Sequence, residues 1–94
     1  MEHKCYLIAE SGSIETIAPT NGKTFELEEV QALVKGYIEV VYLNDNYIMI
    51  INENGKFGMK PNERATEIAS EQMAIRAGDY ICGPAIVCPS PMLP

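Results

Sequence analysis

The sequence is short of positive charge. Its 94 residues hold 7 lysines and arginines against 13 aspartates and glutamates, for a formal net charge of -6. A binder of DNA or RNA polymers needs clustered cations to displace counterions from phosphates, so that class is excluded. A small anion at one locally basic site is not. Histidine occurs once, at His3, near the start of the chain. A side chain there is poorly held, whereas acid–base catalysis needs a group fixed within hydrogen-bond reach of its substrate. Long apolar runs are also missing. The first one, Cys5 to Ala9, stops at Glu10, too short for a signal-peptide core or a membrane span. The chain is therefore expected in the cytoplasm, with no membrane partner.

Cysteine is sparse and odd in number. Cys5, Cys82 and Cys88 cannot all pair within one chain, and the plain reading is three reduced, buried thiols. A zinc reading would join His3, Cys5, Cys82 and Cys88 if the first and last strands were neighbours, but the spacing matches no usual knuckle. The phosphate loop of the Walker type, the dinucleotide fingerprint, HExxH and Cys-x-x-Cys are all absent. Glu28 and Glu29 are adjacent on a helix and do not face each other. No catalytic residue, metal site or cofactor is assigned, and the reading leans away from an enzyme.

What is present is ordinary globular composition: 47% hydrophobic and 21% charged. The length fits one domain, residues 1–94, able to bury roughly two-thirds of its unfolded surface; residues 89–94 read as a tail. Charge is uneven, with eight acids against three bases in residues 1–47 and five against four in 48–94. The acidic half is either a solvated face or a surface that meets a basic partner.

The pattern predicts an α+β fold. A small mixed or antiparallel sheet of about five strands is expected, with one main helix (about 27–35) and a short helix (about 63–69). Lys4–Ala9 reads as a strand, and Ser13–Ala18 returns beside it after the Ser11-Gly12 turn. In Phe25–Gly36, Leu27, Val30 and Val34 recur at helical spacing, with Leu33 widening the stripe. Glu26 is a candidate N-cap, Phe25 and Val30 a hydrophobic staple, and Gly36 a stop. Tyr37–Leu43 and Tyr47–Ile51 read as strands. The unbroken apolar run of the second marks a central strand or a subunit interface, and with the small size it leans the reading toward a homo-oligomer. Asn54-Gly55 is a turn signal, and Lys56–Met59 reads as a short edge strand. Asp79–Cys88 is the last strand region, and its Gly83-Pro84 points to an edge, a bulge or a break.

Lys60–Thr66 carries the most specific chemistry. With Asn62 as cap of a short helix, the N–H groups of Glu63, Arg64 and Ala65 would point outward toward a phosphate or carboxylate. Lys60 and Arg64 would add charge, the guanidinium as a fork matched to phosphate. The plainer alternative is a capped turn whose Arg64 pairs with Glu67. Five of the seven aromatic residues are tyrosines. Tyr37 and Tyr47, with Tyr42 nearby, are either stacking residues or half-buried core.

The ordered segments resemble an uncharacterised domain family found mainly in bacteriophages, plasmids and mobile elements. Its members show a helix ending in Gly-Gly-Tyr-hydrophobic-Glu; here Lys35, Gly36, Tyr37, Ile38 and Glu39 stand there, with lysine for the first glycine. An Asn-x-x-Gly turn matches Asn52–Gly55, an Asn-x-Arg-Ala-Thr stretch matches Asn62, Arg64, Ala65 and Thr66, and a closing Ile-x-Gly strand matches Ile81, Gly83 and Ala85. The resemblance spans roughly residues 25–88 and brings no established chemistry. It implies a small accessory protein acting in the host cytoplasm by binding. The first expectation is a non-enzymatic binder of a small phosphorylated or nucleotide-like ligand, such as a sequestered host defence signal, held by Lys60, Asn62, Arg64, Thr66, Tyr37 and Tyr47. The alternative is an acidic interaction module that inhibits or modulates a host protein.

Overall fold

Ile48, Met49 and Ile50 are all closed to solvent, which a strand achieves only when both faces of its sheet are covered. Successive side chains point to opposite faces, so Ile48 and Ile50 meet one layer and Met49 and Ile51 the other. The computed structural model describes residues 4–94. The chain runs through β1 (Cys5–Ile8), β2 (Ile14–Ile17), α1 (Leu27–Val34), β3 (Ile38–Tyr42), β4 (Tyr47–Asn52), α2 (Glu63–Glu71) and β5 (Ala85–Pro89). The fold is α+β, and among the described residues the five strands form one antiparallel sheet ordered β2-β1-β5-β4-β3. On one face, Val30 and Val34 of α1 join Phe25, Cys5, Ile48, Ile50, Ile86 and Cys88. On the other, Ala65 and Ala69 of α2 pack with Ile8, Val41, Met49, Ile51 and Ala85.

Helix α1 is bounded by its own side chains. The Glu29 carboxylate accepts the backbone N–H of Glu26 at 2.8 Å and that of Thr20 at 2.9 Å, and also the Thr20 hydroxyl. Phe25 and Val30, the expected staple, lie in the same core cluster. Leu27, placed on the apolar stripe by its spacing, is instead partly exposed. The chain reverses at Lys35, which is left-handed at φ 67 and ψ 39, rather than at Gly36. The N–H of Gly36 then donates to Gln31 O at 3.0 Å. From β4, the buried Asn52 amide donates to the Val34 carbonyl at 2.9 Å and so caps the helix from the sheet.

Two expectations need correction, and two open alternatives are decided. The apolar run of β4 is that of a central strand, its two faces covered within the chain by the two core layers. Lys56–Met59 is not an edge strand; Gly55–Phe57 forms a 3-10 turn. The final strand lies between β1 and β4, not at an edge, and begins after Gly83-Pro84. Gly83 has φ 86, and a Cβ there would stand 2.5 Å from Met59 Sδ, so the break depends on glycine. Residues 89–94 are not a tail. Pro89 ends β5, Ser90–Met92 form a 3-10 turn, and Met92 and Leu93 pack on the α1-side core. Phe25 N–H donates to Met92 O at 3.1 Å, holding this segment to the start of α1.

Two outcomes follow. A left-handed backbone costs a residue with a Cβ about 1–2 kcal/mol, partly offset by the greater unfolded freedom of glycine. Lys35→Gly should therefore stabilise the chain by about 0.5–1 kcal/mol in urea unfolding. The backbone N–H of Glu26, then Thr20, hold the Glu29 carboxyl below its ordinary value. A depressed carboxylate contributes stability above its unfolded titration range and loses it as pH falls through the lower folded value. Glu29→Gln should lower the thermal midpoint at neutral pH, and the difference from wild type should close in acid.

Candidate functional site

The turn from β1 to β2 and the start of α2 face each other across an open groove of about 800 Å³. Glu10 joins its two sides, its carboxylate accepting the backbone N–H of Lys60 at 2.9 Å. Beneath this wall lies Asn62, the fully buried N-cap of α2. Its amide nitrogen donates to Ile8 O at 3.0 Å and to Gly83 O at 2.8 Å. Its amide oxygen accepts the N–H of Ala65 at 3.1 Å, and its backbone N–H donates to Ile81 O at 2.8 Å. The Thr66 hydroxyl donates to Asn62 O and accepts the Ile81 N–H, both at 2.8 Å.

This network redistributes the expected ligand residues. Asn62 and Thr66 turn inward and spend their polar atoms on the fold. Lys60 and Arg64 line the groove, with Glu10, Glu63 and Glu67. Among the described residues the one salt bridge is Lys56–Asp79. The alternative Arg64–Glu67 pair is thus not made, and among the described residues neither groove cation has a carboxylate within ion-pair reach. Of the three N–H groups expected to face outward, that of Ala65 is taken by Asn62, which leaves those of Glu63 and Arg64. Two cations and three carboxylates give the lining a formal excess of one negative charge.

A family model described as a domain of unknown function, DUF3846, matches residues 4–91. The chain belongs to this family. No curated protein and no solved structure matches it.

The two tyrosines expected at the ligand of this DUF3846 domain, Tyr37 and Tyr47, do not line the groove. Tyr37 is 70% exposed and lines a separate depression with Asn54, Phe57 and Met59. Tyr47 lies against Leu43, Ile68 and Val87 in another. Two further aromatic residues belong to no sequence motif: Phe57, 87% exposed at the 3-10 turn, and Tyr80, which carries the Lys56 ammonium 4.8 Å from its ring centroid. Phe57 falls in the stretch expected as a strand, where a side chain would alternate with the core. Glu10 belongs to none either, and only its place between a strand and Ser11-Gly12 marks it as a turn residue.

All three cysteines are free and buried. Burial raises the thiols of Cys5 and Cys82, and burial followed by the neighbouring Cys5 pushes Cys88 up to about 12. Protonated thiols are neither nucleophiles nor metal ligands at neutral pH. No group of three or more His, Cys, Asp and Glu side chains among the described residues could hold a metal ion, and His3 lies outside them. Among the described residues, no helix is long and apolar enough to cross a membrane.

Asn62→Ala removes a helix cap and the amide's hydrogen bonds to the carbonyls of Ile8 and Gly83, so a loss of about 2–4 kcal/mol is expected in denaturant unfolding. Asn62→Asp keeps the cap acceptor but sets a carboxylate oxygen against the carbonyls of Ile8 and Gly83. Protonation in the folded state relieves that repulsion, so this variant should gain stability relative to wild type as pH falls.

Proposed function

We propose that this DUF3846 domain is a non-enzymatic binding protein for a small phosphorylated or nucleotide-like ligand seated in the groove between the β1–β2 turn and α2. The observation that carries this reading is the pair Lys60 and Arg64, which share the lining without an ion-pair partner among the described residues. An unpaired guanidinium beside free backbone N–H groups matches the geometry of one phosphate or carboxylate. The three glutamates restrict the choice. Their repulsion opposes a dense polyphosphate and favours a monophosphate or phosphodiester, or a ligand that brings a cationic or hydrogen-donating group to Glu63 and Glu67. Asn62 acts by fixing the groove wall, and the tyrosines stand outside this site. An accessory role of phage or mobile-element type, sequestering a host signal, fits such a protein.

A second reading is a module that binds and modulates a host protein. It is favoured by Phe57 and Tyr37, whose rings stand in solvent beside one shallow depression. Exposed aromatic clusters of this kind mark contact surfaces.

Calorimetry against nucleoside mono- and triphosphates, cyclic dinucleotides and ADP-ribose derivatives tests the first reading. Binding of a singly phosphorylated or phosphodiester member is expected. Arg64→Ala should weaken it about tenfold or more, the scale of a lost charge-assisted hydrogen bond. Glu67→Gln should strengthen it. Absence of heat and of thermal shift across the panel overturns this reading. Capture of a host protein that is lost in Phe57→Ser would then support the second.

A further inference from the structure

We propose that Cys5 and Cys88 are a cross-strand dithiol that closes to a disulfide under peroxide, locking the first strand of the sheet to the last. The register places them opposite one another. Tyr6 faces Val87, Leu7 faces Ile86 and Ile8 faces Ala85, so the next rung outward is Cys5 and Cys88. Both side chains enter the α1-side core cluster.

The hydrogen-bond phase sets how close they come. Ala9 N–H donates to Ser13 O, which makes Leu7–Glu15 and Cys5–Ile17 the bonded pairs toward β2. Tyr6 and Ile8 therefore direct their backbone groups toward β5. From the other side, Ser90 N–H donates to Asn46 O, which makes Cys88–Ile48 and Ile86–Ile50 the bonded pairs toward β4. Both routes leave Cys5–Cys88 a non-hydrogen-bonded pair. Facing Cα atoms of such a pair lie about 4.5 Å apart, within the span of about 4.4–6.8 Å that a disulfide bridges.

The 3-10 turn Ser90–Met92 covers the pair, with Met92 Sδ 3.2 Å from Cys5 Sγ. Both thiols are buried, so oxidant enters only when this turn lifts. In the step itself, Cys5 loses its proton to the water admitted when the turn lifts, and the thiolate attacks peroxide; the O–O bond breaks, an S–O bond forms, and the hydroxide that leaves takes up that proton as one water. Cys88 sulfur then displaces hydroxide from the sulfenic acid, giving the S–S bond and a second water. Two thiols are oxidised and one peroxide is reduced. The bridge closes a loop of nearly the whole chain, the case in which a cross-link most restricts the unfolded state.

Wild type and Cys82→Ser are treated with hydrogen peroxide under native conditions, mapped by mass spectrometry and melted with and without dithiothreitol. The expected result in both is a Cys5–Cys88 linked peptide pair, a mass lower by two hydrogens and a raised thermal midpoint that dithiothreitol reverses. Met92→Ala should speed the reaction severalfold. Both thiols still free after treatment, a bridge through Cys82, over-oxidation of Cys5 alone, closure only in denaturant, or a midpoint that does not rise would each overturn the proposal.

Discussion

The buried side-chain amide of Asn62 joins three stretches of chain. It binds the end of β1 through Ile8, the glycine break through Gly83 and the first turn of α2 through Ala65, while the Asn62 backbone N–H donates to the Ile81 carbonyl just before that break. A polar side chain closed to solvent is tolerated only when its hydrogen bonds are made, and here both amide hydrogens and the oxygen have partners. That requirement is directional. Moving α2 relative to β1 would break the amide's bonds to Ile8 O, Gly83 O and Ala65 N–H together, so the amide fixes where the helix begins. The groove inherits its shape from this constraint, because one wall follows β1 and the other opens α2.

The rest of the fold serves to make such a junction possible in a small chain. One helix against one sheet face would leave the other face wet, and β4 has no polar residue before Asn52 with which to face water. The second layer is provided economically. Helix α2 buries only Ala65 and Ala69, side chains small enough for its backbone to approach the sheet. On the α1 side, the larger Val30, Val34 and Phe25 fill the layer, and the C-terminal turn closes its end through Met92 and Leu93. Each helix is short and marginal alone. Both are therefore held at their ends by polar contacts from elsewhere: Asn52 on Val34 for α1, and Asn62 for α2.

Much of this was legible in the sequence, for a physical reason. Local signals, such as the helical spacing of Val30 and Val34 or the branched and aromatic run of β3, are written in neighbouring residues. The strands, both helices and the Asn62 cap follow from such signals. What the sequence hid depends on distant partners. Phe57 looks like a strand residue until Gly55 turns the chain against Cys82, and Pro89–Leu93 looks like a tail until Phe25 is seen to receive it. Asn62 and Thr66 show the same limit within the site. Their residue types suit a phosphate as well as a buried junction, and only the positions of Ile8, Ile81 and Gly83 decide between the two uses.

That decision changes what the acidity of the chain means. The surplus of carboxylates is ample to pair every cation, yet Lys60 and Arg64 stay unpaired among the described residues while Glu10, Glu63 and Glu67 stand in the same groove. Glu10 is held to the Lys60 backbone N–H, which restricts its reach toward the Lys60 ammonium. Glu63 sits in the first turn of α2, where the helix dipole and free N–H groups already favour a negative charge. Glu67 lies three residues after Arg64 on the helix, a spacing that permits an ion pair without requiring one, since exposed pairs gain little against side-chain entropy. The cations are thus left available by the backbone's hold on Glu10 and by the small return from surface pairing, and an incoming anion would compete with weak contacts rather than with a formed salt bridge.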